Sequence, residues 1–536
     1  MKNDTLPLGP GVPQEFVAKF GQHVKAALCG WDRLLLRGTL RPLFSPARAR
    51  GYLCASKVLL KDFSAYAQAL TGRVKAAAIA AARSAKRPDV FLRSSRTDKL
   101  ALAREIATRA AVRDGLIAVF SALEPCLAVT VRGDRESGRL VPEGQTRHCL
   151  HLYHYLQHPT FGLCHVRVQT WLPFTVEVWL HGREWLARQM DQAGLACLQR
   201  DNCFTHLAEP AAAQALFERQ QRADWPKLLG ALLDRTHPLH TEITAPQPYR
   251  SYYWSLTQSE YATDLLFDDR AALAAIYPGF VHHALTSFAS PDIMRFLGHV
   301  VPAQTGRVHG RFKDELNSTY LVRPEGVRLK HRVGHNTLKV YDKHGQVLRV
   351  ETTLNAPEVF KVWRRPGGKK RARKCWRRLR RGVADIGLRA QVSQAANTRY
   401  LQALAATAPG RPLGETTAPR TRPVRRQGHR YRALNPFGAT DAAVLALINR
   451  GEFAVEGLRN GDVQRALFSG DARTPKERRR PSAAAGRDLR LLRAHGLIRK
   501  IPGRHRYVAT ARGRAAVTAL LTARQADVAQ LTALAA

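Results

Sequence analysis

The sequence predicts an α+β chain of several domains: a central antiparallel sheet with helical insertions, a basic helical segment, a Pro/Arg-rich linker and a compact C-terminal module. Three observations predict it. At 536 residues the chain exceeds what one core can hold, so roughly three domains are expected. Apolar and polar residues alternate with period two between His165 and Trp179, and the pattern changes to strands from 311 to 355, the signature of half-buried sheet. A run at 409–434 carries Pro409, Pro412, Pro419 and Pro423 among many arginines, which suits a linker.

Taken in order, residues 1–145 read as an N-terminal α/β region, mostly helical. GWDRLLLRGTLRPL is an apolar strand or hairpin arm, Ala-rich helices follow at Lys57–Ala82 and Lys99–Leu123, and CLAVTV is a strand. The central sheet is expected within 146–362. There His165, Arg167, Gln169 and Trp171 share one strand face, and Glu177 and Trp179 alternate against Val176 and Val178 after the turn at Leu172-Pro173-Phe174. That mixed polar face suggests a lined groove, and a helix is expected at Arg183–Gln192. Residues 204–300 read as mostly helical. Antiparallel strands then come from STYLVRP, VRLKHRVG, NTLKVYDK and VLRVETTLN. Residues 363–408 form the basic helical segment and 435–536 the C-terminal module.

Charge narrows the function. Lys and Arg number 85 against 42 Asp and Glu, a net charge of +43. A compact chain with that excess calls for a polyanionic partner, and nucleic acid releases condensed counterions when its phosphates are neutralised. No apolar run reaches transmembrane length and the N-terminus lacks an export-type apolar core, so a membrane partner is not expected. Eight scattered cysteines without Cys-x-x-Cys pairing argue against structural zinc and fit a reducing, cytoplasmic setting beside the nucleoid. A Gly-rich phosphate loop and a G-x-S-x-G elbow are both missing from the sequence.

Segment 363–381 holds eleven basic residues in nineteen positions and no acid. Arg371, Arg373, Arg377, Arg378, Arg380 and Arg381, interleaved with Trp363 and Trp376, suggest a surface that tracks phosphates and stacks on single-stranded bases. His148, His151, His154 and His158 would line one face of a helix, as a metal set or as an aromatic stripe. Asp32, inside its apolar run, reads either as a buried metal-binding carboxylate or as a turn residue.

In the C-terminal module, two helices precede GRDLRLLRAHGLI, which is followed by a basic hairpin, RKIPGRHRYVAT, and a last helix. This order resembles winged-helix domains. The resemblance implies that Arg487, Arg490 and Arg493 face the major groove of duplex DNA, with Arg504, His505 and Arg506 at the wing tip.

NTLKVYDKHGQVLRVETTLN places Lys339, Tyr341 and Lys343 on one strand face, with Arg349 and Glu351 alternating on the next strand. Phosphodiester transfer needs a hydroxyl nucleophile, a carboxylate-bound cation and cations around the phosphorane, and all three residue types occur here. The pattern K-x-Y-D-K followed by L-R-x-E resembles the strand pair of rolling-circle replication initiators of plasmids and filamentous phages. By that resemblance Glu351 would bind Mg²⁺ or Mn²⁺, Lys343 and Arg349 would contact phosphate, and a tyrosine would take the nicked 5′ end. Tyr252, Tyr253, Tyr261 and Tyr341 all qualify. The family's pair of histidines around one hydrophobic residue has no counterpart; the nearest piece is His165-Val166-Arg167. The expected function is a metal-dependent DNA endonuclease or strand transferase of a mobile genetic element, like a replication initiator or transposase. Two alternatives stay open, a non-catalytic winged-helix regulator and a structured-RNA-binding protein. On both, Tyr341 and Glu351 are ordinary cross-strand partners.

Overall fold

The fold is known from a computed structural model, which describes residues 10–526 apart from 95, 137, 248–249, 300–302, 305–306, 309–314, 367–372, 407–416 and 469–474. It is α+β around a large mixed sheet. In chain order the strands of that sheet are β1 (Val24–Thr39), β2 (Asp89–Phe91), β3 (Gly115–Gly133), β4 (Leu140–His158), β5 (Gly162–Gln169), β6 (Val176–His181), β7 (Tyr253–Phe267), β8 (Leu316–Arg323), β9 (Gly326–Val333), β10 (Asn336–Lys343) and β11 (Val347–Leu354).

The chain divides into two compact units. The first comprises Met1–Ala27, Thr263–Thr352 and Val392–Ala536, with strand order β8-β9-β10-β11-β7; the second comprises Leu28–Ala262 and Thr353–Gln391, with order β7-β1-β6-β5-β4-β3-β2. Strands β1, β7 and β11 contribute residues to both. Neighbours pair antiparallel wherever the register is defined, except β2, which runs parallel to β3 with Val90 opposite Phe120. An all-antiparallel sheet was the expectation. The short 89–91 segment joins its edge with parallel sense instead, because the helix Lys99–Arg109 carries the chain across before β3 begins.

The second unit's main core joins Leu34, Leu36, Val166, Val176 and Val178 from the strands to Leu70 and Val74 of the helix Phe63–Ser84 and to Trp225, Leu229 and Leu232 of the helix Trp225–Thr236. Buried area of this size is the dominant stabilising term. In the first unit a separate core gathers Leu445 and Ile448 of the helix Ala439–Ile448, Val463 of the helix Asn460–Leu467, Leu489 and Leu492 of the helix Pro475–Ala494, and Val517 and Leu520 of the helix Ala511–Gln525. A two-stranded hairpin, Ile498–Lys500 with Tyr507–Ala509, lies between the last two helices.

Several expected elements differ. The helix proposed for Lys99–Leu123 ends at Arg109, and Gly115 at φ +93° opens strand β3, where the Ile117–Phe120 run pairs with β4. The four-histidine stretch is strand, not helix. His148, His154 and His158 therefore share a face that His151 does not, which dissolves a one-face metal set. Tyr253–Phe267, read as a break among helices, is a sheet strand. Residues expected to begin the basic helix form a hairpin, Lys361–Arg364 against Cys375–Arg378, and the helix starts only at Ile386. Pro366 opposes helix there, while Val362 and Leu379 find buried places. The linker region contains a small hairpin, Val424–Arg426 with His429–Tyr431.

Burial holds His154 at about 4, His237 at about 3 and His331 at about 4, each below the ordinary histidine value. Unfolded, these rings protonate near 6.5, so between those values the unfolded chain binds more protons than the native one. The stabilisation is present above about pH 6.5 and is lost as pH falls toward about 4. Melting temperatures at constant ionic strength are expected to fall progressively between pH 7 and pH 5, and a flat profile would contradict the neutral-core assignment.

Candidate active site: a carboxylate pair beside a polar groove

In the second unit, strand β1 delivers Asp32 and strand β7 delivers Glu260, both buried, with carboxylate oxygens within 4.8 Å of one another. Close backbone packing sets this up. A Cβ at Gly30 would strike the Phe217 ring, and one at Gly182 would strike the Trp31 carbonyl. Only glycine at both positions lets the neighbouring chain approach. Asn202 donates to both Asp32 oxygens at 3.1 and 2.9 Å, from the turn between the short strands Cys197–Arg200 and Cys203–Leu207. Buried Arg183 lies 3.9 Å from Asp32 through Nε and donates to the Gly30 carbonyl at 2.9 Å. Arg33 reaches Glu260 at 3.8 Å, and the Thr353 hydroxyl donates to Glu260 at 3.5 Å. Two buried carboxylates are thus held by cations and hydrogen bonds, the condition on which buried charge is tolerated.

A groove of about 450 Å³ runs over the same unit's sheet, lined by Arg33, Tyr153, His165, Arg167, Trp179 and His181 among others. Of the alternating face read from 165–179, His165, Arg167, Glu177 and Trp179 line this groove, whereas Gln169 is buried on the Leu127 carbonyl and Trp171 packs against the core. Arg167 donates to Glu177 at 2.7 Å and to Glu124 at 2.8 Å, and Tyr153 donates to Glu124 at 2.6 Å. Burial works to lower the Arg167 value, but Glu177, Tyr153 and Glu124 raise it above the ordinary, so the guanidinium stays charged. His165 packs against Tyr155 at 4.7 Å and stacks on Trp179 at 5.8 Å, and Arg33 lies over Trp179 at 5.6 Å. Burial, then the Arg33 charge, pushes His181 down to about 4 against the opposing pull of Asp32 and Glu260.

The residues singled out on β10 and β11 lie in the first unit and form buried ion pairs. Lys339 Nζ is 2.5 Å from Glu351, both nearly without exposure. Arg349 is fully buried, and its Nε and a terminal nitrogen donate to the two oxygens of Asp264 at 2.6 and 2.8 Å. That corrects its expected role: a guanidinium sealed on a carboxylate has no exposed face for phosphate. Lys343 lies 3.9 Å from Glu325 and 5.1 Å from the centre of the Tyr341 ring; both Lys343 and Tyr341 are nearly buried. Of the other candidate tyrosines, Tyr252 and Tyr261 are buried and their phenols raised above the ordinary value by that burial, while Tyr253 is half-buried with Arg41 over its ring.

The basic residues are mostly at the surface. Arg373, Arg377, Arg378, Arg380 and Arg381 are exposed, but Arg380 is bonded to Asp385 and Arg381 to Glu358. Arg371 lies outside the described residues. Trp363 and Trp376 face each other across the 361–378 hairpin, rings 5.6 Å apart and about half or more exposed. Arg487, Arg490 and Arg504 are exposed and Arg493 and Arg506 half-buried.

No match to a known protein was found. No family model fits the chain, and neither a curated protein nor a solved structure is significantly similar to it.

Sequence reasoning missed Glu260, Asn202 and Arg183. Glu260 was signalled by the alternation of Trp254, Leu256 and Glu260 on one strand parity, which the aromatic loop reading obscured. Asn202 and Arg183 meet Asp32 only through tertiary packing, which no local pattern announces.

Proposed function

We propose that this chain is a DNA-acting protein of a mobile genetic element that cuts or transfers strands with a bound divalent cation, in the manner of replication initiators or transposases. The observation that carries the reading is the buried Asp32–Glu260 pair, linked through Arg33 to a cationic, aromatic groove. Hard carboxylate oxygens suit Mg²⁺ or Mn²⁺, and an amide such as Asn202 is a compatible neighbour. A bound cation would polarise a scissile phosphate and stabilise the leaving oxygen. Arg33 would orient the phosphate, and Arg183 and Asn202 would hold Asp32 in place.

The C-terminal helices, the 498–509 hairpin and the exposed Arg487, Arg490 and Arg504 support a winged-helix role on duplex DNA, with Arg493 and Arg506 alongside. Among the described residues no helix is long and apolar enough to cross a membrane. A cytoplasmic, nucleoid-associated location goes with this reading. One observation favours the non-catalytic alternative: Glu351 is already paired with Lys339. Incubating purified protein with supercoiled and single-stranded DNA, with Mg²⁺, Mn²⁺ or EDTA, separates the two. Divalent-dependent nicks are expected, and intact DNA under every condition would leave only a binding protein.

The Trp hairpin gives a second expectation. Changing Arg377 and Arg378 to Gln together with Trp363 and Trp376 to Ser lowers affinity for single strands more than for duplex, since stacking contributes about 1–3 kcal/mol per base only where bases are unstacked. Filter binding on matched substrates reads this, and equal losses would reduce the hairpin to a nonspecific cationic patch.

A further inference from the structure

We propose that the groove on the second unit's sheet seats a nucleobase of the processed strand, stacked on Trp179 and His165, with the adjoining phosphate drawn to Arg33. The inference rests on the DNA-acting reading above and names the part of the substrate that this groove takes. Three features point to such a ligand. First, Tyr155, His165 and Trp179 form a ladder of aromatic rings from three adjacent strands, His165 opposite both Tyr155 and Trp179 in the register. Burial pushes His165 down to about 3, so its ring is neutral at physiological pH and packs as an uncharged π-surface. Second, cations flank the rings: Arg33 over Trp179 at 5.6 Å and Lys99 over Tyr153 at 4.9 Å. Flat anionic ligands satisfy both features at once.

Third, the polar edge of the groove is fixed. Glu177 sits between Arg167 at 2.7 Å and Arg37 at 3.5 Å, and Arg167 is also held by Glu124. A donor and an acceptor locked side by side present the complement of a base's Watson–Crick edge, as pockets for extruded bases do. Arg33 also reaches Glu260, which puts the seat next to the carboxylate pair.

The test uses the full chain carrying Trp363→Ser and Trp376→Ser, so that the hairpin contributes no stacking signal. A single-stranded tetranucleotide containing 2-aminopurine is titrated in EDTA, and quenching and affinity are read together. Quenching is expected, with Trp179→Leu weakening affinity about fivefold or more and removing the quench, and Trp179→Phe retaining both. His165→Leu on the neighbouring strand is the second variant and is expected to act in the same direction. Undiminished quenching and affinity in Trp179→Leu or His165→Leu overturns the proposal. Quenching that depends on Trp179 in a protein that cuts no DNA keeps the base seat and removes the strand-cutting reading.

Discussion

Replacing Asp32 with Asn lowers divalent-dependent strand cleavage by more than about a hundredfold while affinity for DNA holds or rises. Even residues one shell removed from a metal typically change affinity or activity about 10–100-fold, and a ligand carboxylate has the larger effect. The substitution keeps the size of the side chain and an oxygen for Asn202 to bind, but removes the charge that a cation needs. DNA affinity rises if the lost negative charge had repelled phosphate. Glu260→Gln is expected to behave alike. Nicking rates and filter binding on one preparation check both halves. Equal activity in Asp32→Asn would move the chemistry elsewhere.

Asp264→Ala destabilises the first unit by about 3–5 kcal/mol, because it leaves the Arg349 guanidinium buried and uncompensated. Both groups are almost wholly buried, and the contact is bidentate. The paired exchange of Arg349→Met with Asp264→Leu removes both charges and is expected to recover most of that loss. Urea unfolding followed by tryptophan fluorescence and circular dichroism measures the shift. If Asp264→Ala unfolds where the parent does, the pair is not a stabilising contact and Arg349 returns as a candidate for phosphate.

Much of the sheet was readable from residue alternation. NTLKVYDK and VLRVETTLN became β10 and β11, and His165, Arg167, Glu177 and Trp179 of the polar face became groove wall, because a period of two states which side chains share a surface. Asp32 stood out as a carboxylate inside an apolar run. What alternation does not carry is partner choice. Arg349 reads as an exposed cation on any strand plot, yet Asp264, eighty-five positions away, draws it inside. Glu260 meets Asp32 because β7 lies beside β1, an adjacency between strands more than two hundred residues apart. Nor does composition settle local structure in the basic run. Eleven cations at 363–381 suggested a helix, and the Trp363–Trp376 register gave a hairpin.

The most direct test of the central claim is calorimetric titration of Mn²⁺ into the EDTA-stripped full chain, beside Asp32→Asn and Glu260→Gln. The account predicts saturable binding by the parent and its loss in both variants, with all three proteins folded. Absence of binding to the parent, or undiminished binding by both variants, would contradict a metal site at Asp32 and Glu260.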